Sequence, residues 1–412
     1  MGRQEARMGR LMILSSHKTI DASPSSLRPV EDEILESTGC HSVFWCGRGA
    51  SALYWAFRVA RARRPDVMHP EVVLPAALCA SPANAAIAAG LKVRFADVDP
   101  GTALTNESYV SERINNRTVA VVFVHLYGRT AALKELADVC GRHNAMLIED
   151  AAQALGGRLP DGTPVGSVGD ACVFSLSATK ILECGGGVLT LRTEEEAAVL
   201  EAVSANYRHD APMDEAVVRR MSESFRNLQH GAIALLRLRK IKHCATWFLP
   251  LLPKYRGLLV RPLRQVDKII PAWTSLPQTL RHRQEMANIY AERLAGGPWR
   301  LPLGYGLSGV CWRYTILVDD NLDALDLTDG LRQDGFLASN HYWPLPPFYH
   351  PEDECGNAEN FARHCLNLWV DGKMDGSTTG RCADKLWSLV KQWFRPASRV
   401  EKTIIDERHT FQ

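Results

Sequence analysis

A lysine and two acids in the stretch 143–191 have the types and spacing that amino-group chemistry requires. One short apolar run ends on Glu149 and Asp150, and a second opens into SLSATK, which ends on Lys180. Short apolar runs bounded by turn residues predict buried strands. A lysine that attacks a carbonyl must be neutral part of the time, and a carboxylate can keep a cofactor's ring nitrogen protonated. The pattern favours a lysine-linked cofactor over the alternatives, a solvated lysine and a structural carboxylate.

A glycine turn in the sequence CGRGA is a second candidate site. It joins a predicted strand, 42–45, to a predicted helix, 50–63. Backbone N–H groups and the helix dipole converge at such a turn and bind anions. Gly47 and Gly49 begin like a dinucleotide fingerprint, but Ala52 stands at the third glycine position. A cradle for a single phosphate is therefore favoured over a dinucleotide site, and a plain strand–helix turn is the alternative.

Strands and helices alternate along the rest of the first half. The predicted elements are strand 72–74, helix 81–89, strand 92–96, strand 119–125, helix 131–143, strand 145–148, strand 171–174 and strand 188–191. This alternation predicts an α/β fold, with a mostly parallel central sheet and helices on both faces. Because ligands of such sheets bind at the carboxyl ends of the strands, we expect Gly47, His125, Asp150 and the loop 175–180 to converge there.

The composition is that of an ordinary globular protein. The 412 residues are 46% hydrophobic and 23% charged, with a net charge of +2. This length allows two domains, and the small net charge gives no reason to expect a nucleic-acid partner. The cysteines have neither zinc-site nor disulfide spacing, so we expect reduced thiols and no metal site. The apolar run at 11–14 is too short for a signal peptide or a membrane span, and a cytoplasmic location is expected.

Several motifs carry a family resemblance. IEDAAQALGG, VGSVGDACVFSLSATKILECGGGVLTL and VVFVHLYGR resemble the sugar aminotransferases of the DegT/DnrJ/EryC1/StrS type, which depend on pyridoxal phosphate. The resemblance is dense over residues 72–191 and weaker after residue 205. It implies fold type I with a smaller α+β C-terminal domain, and a homodimer with sites at the subunit interface. It also implies transfer of an amino group, typically from glutamate, to a keto group of a nucleotide-linked sugar, for polysaccharide or secondary-metabolite synthesis.

The resemblance assigns roles to residues around the cofactor ring. Lys180 is similar to the Schiff-base lysine, which also moves protons between cofactor and substrate. Asp150 corresponds to the partner of the ring nitrogen, and Gln153 to the partner of the ring oxygen. His125 lies near the cofactor in this family, with a histidine in the core as the alternative.

The phosphate ligands implied by the resemblance are Ser175 and the turn residues Gly49, Ala50 and Ser51. Ala50 stands where the family has threonine, so one side-chain hydroxyl is lost. Backbone donors and Ser51 remain at this turn. The turn is therefore expected to hold the phosphate with one ligand fewer.

Two further positions depart from the family pattern. Cys79 stands where an aromatic residue commonly stacks on the cofactor ring, so stacking would be weaker or supplied from elsewhere. Asn227 is the nearest match to the asparagine that reaches the neighbouring subunit's phosphate. These departures leave two alternatives open: other pyridoxal phosphate chemistry, such as a lyase or dehydratase, and a catalytically weak binding or scaffold protein. The family's dehydratases carry histidine at the lysine position, so Lys180 argues against that branch.

Two segments of the second half have competing interpretations. SNHYWPLPPFYH resembles the family's substrate-side segment, which makes His341, Tyr342 and Trp343 candidate substrate contacts; aromatic packing against the prolines is the alternative. The basic and apolar stretch 237–268 could lie peripherally on an anionic membrane surface, close over an anionic substrate, or pack at the dimer interface.

The expected domain organisation has five parts. They are an N-terminal arm at 1–40, a large cofactor-binding domain at 41–230, an interface helix with the basic-apolar insertion at 231–279, a small domain at 280–395 and a tail at 396–412.

Overall fold

The computed structural model describes residues 25–205, 220, 223, 227, 259 and 263–393. Within these ranges the chain has two hydrophobic cores. The larger one fills the N-terminal domain and includes residues of the C-terminal half such as Trp312 and Phe361, and the smaller one lies in the C-terminal domain. The expected interface helix at 231–238 and most of the stretch 237–268 lie outside the described residues. Nothing structural is therefore added to the three interpretations of that stretch.

The large domain is built on a seven-stranded sheet. Its strands are β1 (Ser42–Cys46), β2 (Glu71–Pro75), β3 (Lys92–Ala96), β4 (Thr118–Val124), β5 (Met146–Asp150), β6 (Ala171–Ser175) and β7 (Gly187–Leu191). Its described helices are α1 (Arg28–Thr38), α2 (Gly49–Arg63), α3 (Ala80–Ala88), α4 (Glu107–Ser111), α5 (Lys134–Arg142) and α6 (Glu194–Ala205).

The strand order is β1-β7-β6-β5-β4-β2-β3. Strands β2 to β6 pair in parallel, whereas β7 is antiparallel to both of its neighbours. The mostly parallel sheet is therefore confirmed. Its central strands are buried along their whole length because helices cover both faces. The parallel strands deliver their carboxyl ends, and the residues that follow them, to one edge of the sheet.

Helix α1 corrects one expectation. Residues 28–38 were expected in a loose arm, but they form a helix packed on the large domain. Val30 and Ile34, one helical turn apart, are buried, and the indole N–H of Trp45 donates a hydrogen bond of 2.8 Å to Glu31. The apolar residues of this short helix repeat at helical spacing, a signal that the polar residues around them mask.

The small domain contains a four-stranded antiparallel sheet with helices packed on it. The sheet has the order β10-β11-β9-β8, with β8 (Trp299–Arg300), β9 (Tyr314–Val318), β10 (Ala338–Ser339) and β11 (Cys365–Leu368). The helices from the domain linker onward are α7 (Val266–Thr274), α8 (Leu276–Arg293), α9 (Ala324–Gln333), α10 (Pro346–Tyr349), α11 (Gly356–His364) and α12 (Gly376–Trp393). The smaller α+β domain is therefore confirmed. Among the helices that the structure describes, none is long and apolar enough to cross a membrane.

Candidate active site

Asp150 and Lys180 lie within electrostatic reach of each other, one at the end of β5 and the other on the loop that follows β6. Asp150 is the last residue of β5 and is only 5% exposed. Its Oδ1 accepts a hydrogen bond of 3.1 Å from the backbone N–H of Ala152. Burial raises the pKa of Asp150, while the charge of Lys180 acts in the opposite direction. The sheet thus places a buried carboxylate and an amine in one electrostatic environment.

Gln153 is held in place by both ends of its amide. Its Oε1 accepts a hydrogen bond of 2.6 Å from the backbone N–H of Tyr127, and its Nε2 donates one of 3.1 Å to the hydroxyl of Tyr342. An amide nitrogen carries two hydrogens, so Nε2 has a second one that can serve a ligand oxygen.

The glycine turn before α2 lies directly against Ser175. A Cβ on Gly49 would lie 2.6 Å from the Cβ of Ser175, and one on Gly187 would lie 2.4 Å from the carbonyl carbon of Arg48. Only glycine fits at either position. Ser51 is fully buried, and its hydroxyl has no hydrogen-bond partner among the described residues. A phosphate at the start of this helix would satisfy that orphaned hydroxyl.

The loop that carries Lys180 is fixed by groups from the C-terminal half. The indole N–H of Trp312 donates to the carbonyl of Thr179 at 2.7 Å, and Nη2 of Arg283 donates to the carbonyl of Lys180 at 2.9 Å. The Lys180 ammonium lies 6.0 Å from the centre of the Trp312 ring. Neither Arg283 nor Trp312 was expected in the site. The one sequence feature that could have indicated Arg283 is its charge at a position on the buried face of α8. Its side chain is only 1% exposed there.

His125 and Glu149 form a fully buried pair behind Asp150. Nε2 of His125 and Oε2 of Glu149 are 2.9 Å apart. Three backbone N–H groups of the turn 166–169 also donate to the Glu149 carboxylate, at 2.7 to 2.9 Å. Burial opposes ionisation of Glu149, but the bonds and charge of His125, with those backbone donors, lower its pKa. His125 keeps a second nitrogen, Nδ1, without a partner among the described residues.

Cys79 lies in the same electrostatic environment as the lysine and the acid. Burial raises the pKa of its thiol, the Lys180 charge lowers it and the Asp150 charge raises it again. No aromatic side chain stands at this position. The charge of Cys79 acts on the hydroxyl of Tyr342, whose ring stacks with that of Trp312.

The three candidate substrate contacts differ in position. Tyr342 reaches the site through its bond to Gln153. The carbonyl of His341 accepts hydrogen bonds from Tyr127 and, at 2.8 Å, from Asn367, which anchors the backbone there. The indole N–H of Trp343 donates to Asn340 at 2.9 Å, within the small domain.

The two remaining predicted ligands are less closely tied to the site. Ala50 lies partly exposed in the first turn of α2, next to the buried Ser51. Asn227 is helical and exposed, and no contact within the described part of the chain links it to the cofactor residues.

Comparisons with known proteins identify the family and the fold. The sequence profile of the DegT/DnrJ/EryC1/StrS aminotransferase family matches residues 11–246, more than half of the chain. The chain is 30% identical over 253 residues to a pleiotropic regulatory protein of Geobacillus stearothermophilus, across 58% of this chain and 65% of that protein. It is 26% identical over 320 residues to a GDP-perosamine synthase of Vibrio cholerae, across 77% of this chain and 75% of that protein. The match thus spans a little less than two thirds of the Geobacillus relative.

Solved structures show the same fold. The crystal structure of DesI in the presence of its TDP-sugar product superposes with a TM-score of 0.68 at 21% identity, covering 89% of this chain and 84% of DesI. At that level of identity the likeness concerns the fold alone. It supports fold type I for both domains described above.

The residues at the sheet edge fit pyridoxal phosphate. The orphaned hydroxyl of Ser51 and the close approach of Gly49 to Ser175 suit its phosphate. The buried Asp150 suits its ring nitrogen, and the free amide hydrogen of Gln153 suits its ring oxygen. With the profile match over more than half of its length, the chain belongs to the DegT/DnrJ/EryC1/StrS aminotransferase family, which implies a pyridoxal phosphate cofactor.

Proposed function

We propose that this chain is an aminotransferase that moves an amino group from glutamate onto a keto group of a nucleotide-linked sugar. The observation that carries the proposal is the convergence of Lys180, Asp150 and the phosphate cradle at one sheet edge. The GDP-perosamine synthase of Vibrio cholerae, which is similar over 77% of this chain, supports a nucleotide-linked substrate.

Each residue has a defined task in this proposal. Bound pyridoxal phosphate supplies an electron-accepting ring that carries the amino group between donor and acceptor. Asp150 holds a proton at the ring nitrogen, and Gln153 orients the ring oxygen. Lys180 would hold the cofactor and would move a proton at the reacting carbon as a general acid and base. Gly49, Ser51 and Ser175 would bind the phosphate.

The proposal extends to the assembly and its setting. A homodimer, with Asn227 of one subunit reaching the phosphate held by the other, follows from the family resemblance of the sequence, and a cytoplasmic location is proposed with it. The product would enter polysaccharide or secondary-metabolite synthesis. The sedimentation behaviour of the loaded protein tests the dimer, and a monomer at micromolar concentration would contradict it.

The donor half of the reaction gives the sharpest test. The loaded protein is mixed with L-glutamate, and the visible absorbance and the release of 2-oxoglutarate are measured. We expect one equivalent of 2-oxoglutarate per site together with loss of the visible band, and an amino sugar when a GDP- or TDP-linked keto sugar is added. A band that glutamate leaves unchanged, with no 2-oxoglutarate, would contradict an aminotransferase.

A binding or scaffold role is the second candidate. It is supported by the Cys79 and Ala50 departures and by the name of the Geobacillus relative, a pleiotropic regulatory protein. This role predicts that the protein binds sugar nucleotides without turnover, even when fully loaded with cofactor. Asp150→Asn distinguishes the two, because it should abolish turnover in an enzyme and change nothing in a scaffold.

A further inference from the structure

A small-domain segment, 341–349, crosses the turn that carries Cys79. The backbone N–H of Leu345 donates to the carbonyl of Ala76 at 3.1 Å, just before that turn reaches Cys79. The Tyr349 hydroxyl donates to Asn84 on α3 at 2.7 Å. Two hydrogen bonds thus hold the segment against the start of α3, which Cys79 precedes.

Tyr342 points from this segment into the group of cofactor residues. Its hydroxyl accepts the bond from Gln153, and burial followed by the charges of Cys79 and Asp150 raises the pKa of that hydroxyl. Its ring stacks with those of Tyr127 and Trp312, at centroid distances of 6.1 and 6.5 Å. Tyr342 therefore contacts Gln153 directly and lies within electrostatic reach of Cys79 and Asp150.

Trp312 is not free to take the same place. Its indole N–H is committed to the backbone of Thr179, and the guanidinium of Arg313 lies 4.3 Å from its ring centre. Arg313 is in turn 4.0 Å from the ring of Trp369. The Trp312 ring is thus a fixed support for the lysine loop, whereas the Tyr342 ring lies within electrostatic reach of the small side chain of Cys79.

We propose that Tyr342 supplies the aromatic wall of the cofactor site at the place where Cys79 leaves room for it, so that residue 79 and Tyr342 share one space. The thiol is small enough for the Tyr342 ring to enter from the small domain, and an aromatic side chain at position 79 would compete for that volume. Tyr342 is then a cofactor-positioning residue rather than a substrate contact.

A double-mutant cycle on cofactor affinity tests this. The dissociation constant of pyridoxal phosphate is measured by equilibrium dialysis and by the visible absorbance of the loaded protein. Tyr342→Ala should weaken binding about 3- to 10-fold, as expected for loss of one aromatic contact. Tyr342→Phe keeps the ring and should change affinity less than about threefold.

The second arm uses position 79. Cys79→Phe in the otherwise unchanged chain should also weaken binding, because the new ring meets Tyr342. Combined with Tyr342→Ala, it should restore affinity to within about twofold of the original protein, which is strong non-additivity. Additive effects, or a Tyr342→Ala variant that binds the cofactor as tightly as the original chain, would overturn the proposal.

Tyr349→Ala is the matched control. It removes one of the two hydrogen bonds that hold the segment but leaves the Tyr342 ring in place, so cofactor affinity should fall by less than about twofold. If it weakened binding as much as Tyr342→Ala, the effect would come from a loosened segment, and the proposal would be wrong. Thermal unfolding of each variant verifies the fold. Because the measurement uses the cofactor alone, its outcome is separate from that of the proposed sugar substrate.

Discussion

The edge of the large sheet and the small-domain face opposite it contribute to one site by different means. Asp150 and Ser175 are the terminal residues of adjacent parallel strands, and the turn at Gly49 follows β1. The opposite face reaches the site through Tyr342 and Trp312, which come from irregular segments and depend on single side-chain hydrogen bonds. The first region is positioned by backbone pairing and the second by packing between domains. Substitutions in the first region should therefore abolish turnover. Substitutions in the second region should change ligand affinity or the position of the reacting groups.

Loss of the lysine should have the largest effect. Lys180→Ala should lower turnover by about 10,000-fold, because the residue is both the cofactor attachment and the proton-transfer group. The visible band of the loaded protein should disappear as well. Lys180→Arg is the control that keeps the charge, and it should be equally inactive. Substantial turnover in either variant would show that the first region does not carry out the reaction.

The buried pair behind Asp150 should govern stability in acid. Glu149→Gln should destabilise the fold by about 3 kcal/mol at neutral pH, because it replaces a buried carboxylate that accepts three backbone N–H hydrogen bonds with a neutral amide that has only one acceptor oxygen. The folded pKa of Glu149 is lowered from its ordinary 4.5, so its stabilisation is fully present above pH 4.5 and is lost as the pH falls through the folded value. Urea unfolding at pH 7 and below pH 4 should show the difference between the two proteins narrowing in acid.

Glu135→Gln, at an exposed position on α5, is the control for this effect. It should unfold like the original protein at both pH values. If the loss of unfolding free energy in Glu149→Gln did not depend on pH, Glu149 would stabilise the fold through its shape rather than its charge.

Arg283 tests whether the second region positions the first. Arg283→Met should lower turnover about tenfold while cofactor binding persists, because the carbonyl of Lys180 loses its anchor and misplaced groups react slowly. Arg281→Met on the same helix, at an exposed position, is the matched control. Equal turnover in both variants would show that the lysine loop holds its position without help from α8.

Trp343 should have the smallest effect. Trp343→Phe removes the hydrogen bond to Asn340 and should cost about 1 kcal/mol of stability. Turnover and the Michaelis constant should stay within about twofold, since that bond lies within the small domain. A large rise in the Michaelis constant alone would instead show that Trp343 contacts the substrate.

Much of the first region could be read from the chain alone. Asp150, Ser175 and Lys180 follow short apolar runs, and the carboxyl ends of parallel strands meet at one edge whatever the details of packing. Gly49 was recognisable from its turn before a helix, and the structure shows that the close approach of Ser175 excludes any Cβ there. Helix α1 was missed because only a few apolar positions mark its buried face among polar neighbours.

The second region was decided by the tertiary structure. The bond between Gln153 and Tyr342 spans 189 positions of sequence, and that between Lys180 and Arg283 spans 103. No local pattern signals such contacts, because they depend on how the small domain packs onto the large one. The buried His125–Glu149 pair likewise depends on a turn folding back to donate three N–H groups. The sequence alone determined the residues at the strand ends, and packing determined which side chains surround them, since local periodicity specifies an element but not its distant neighbours.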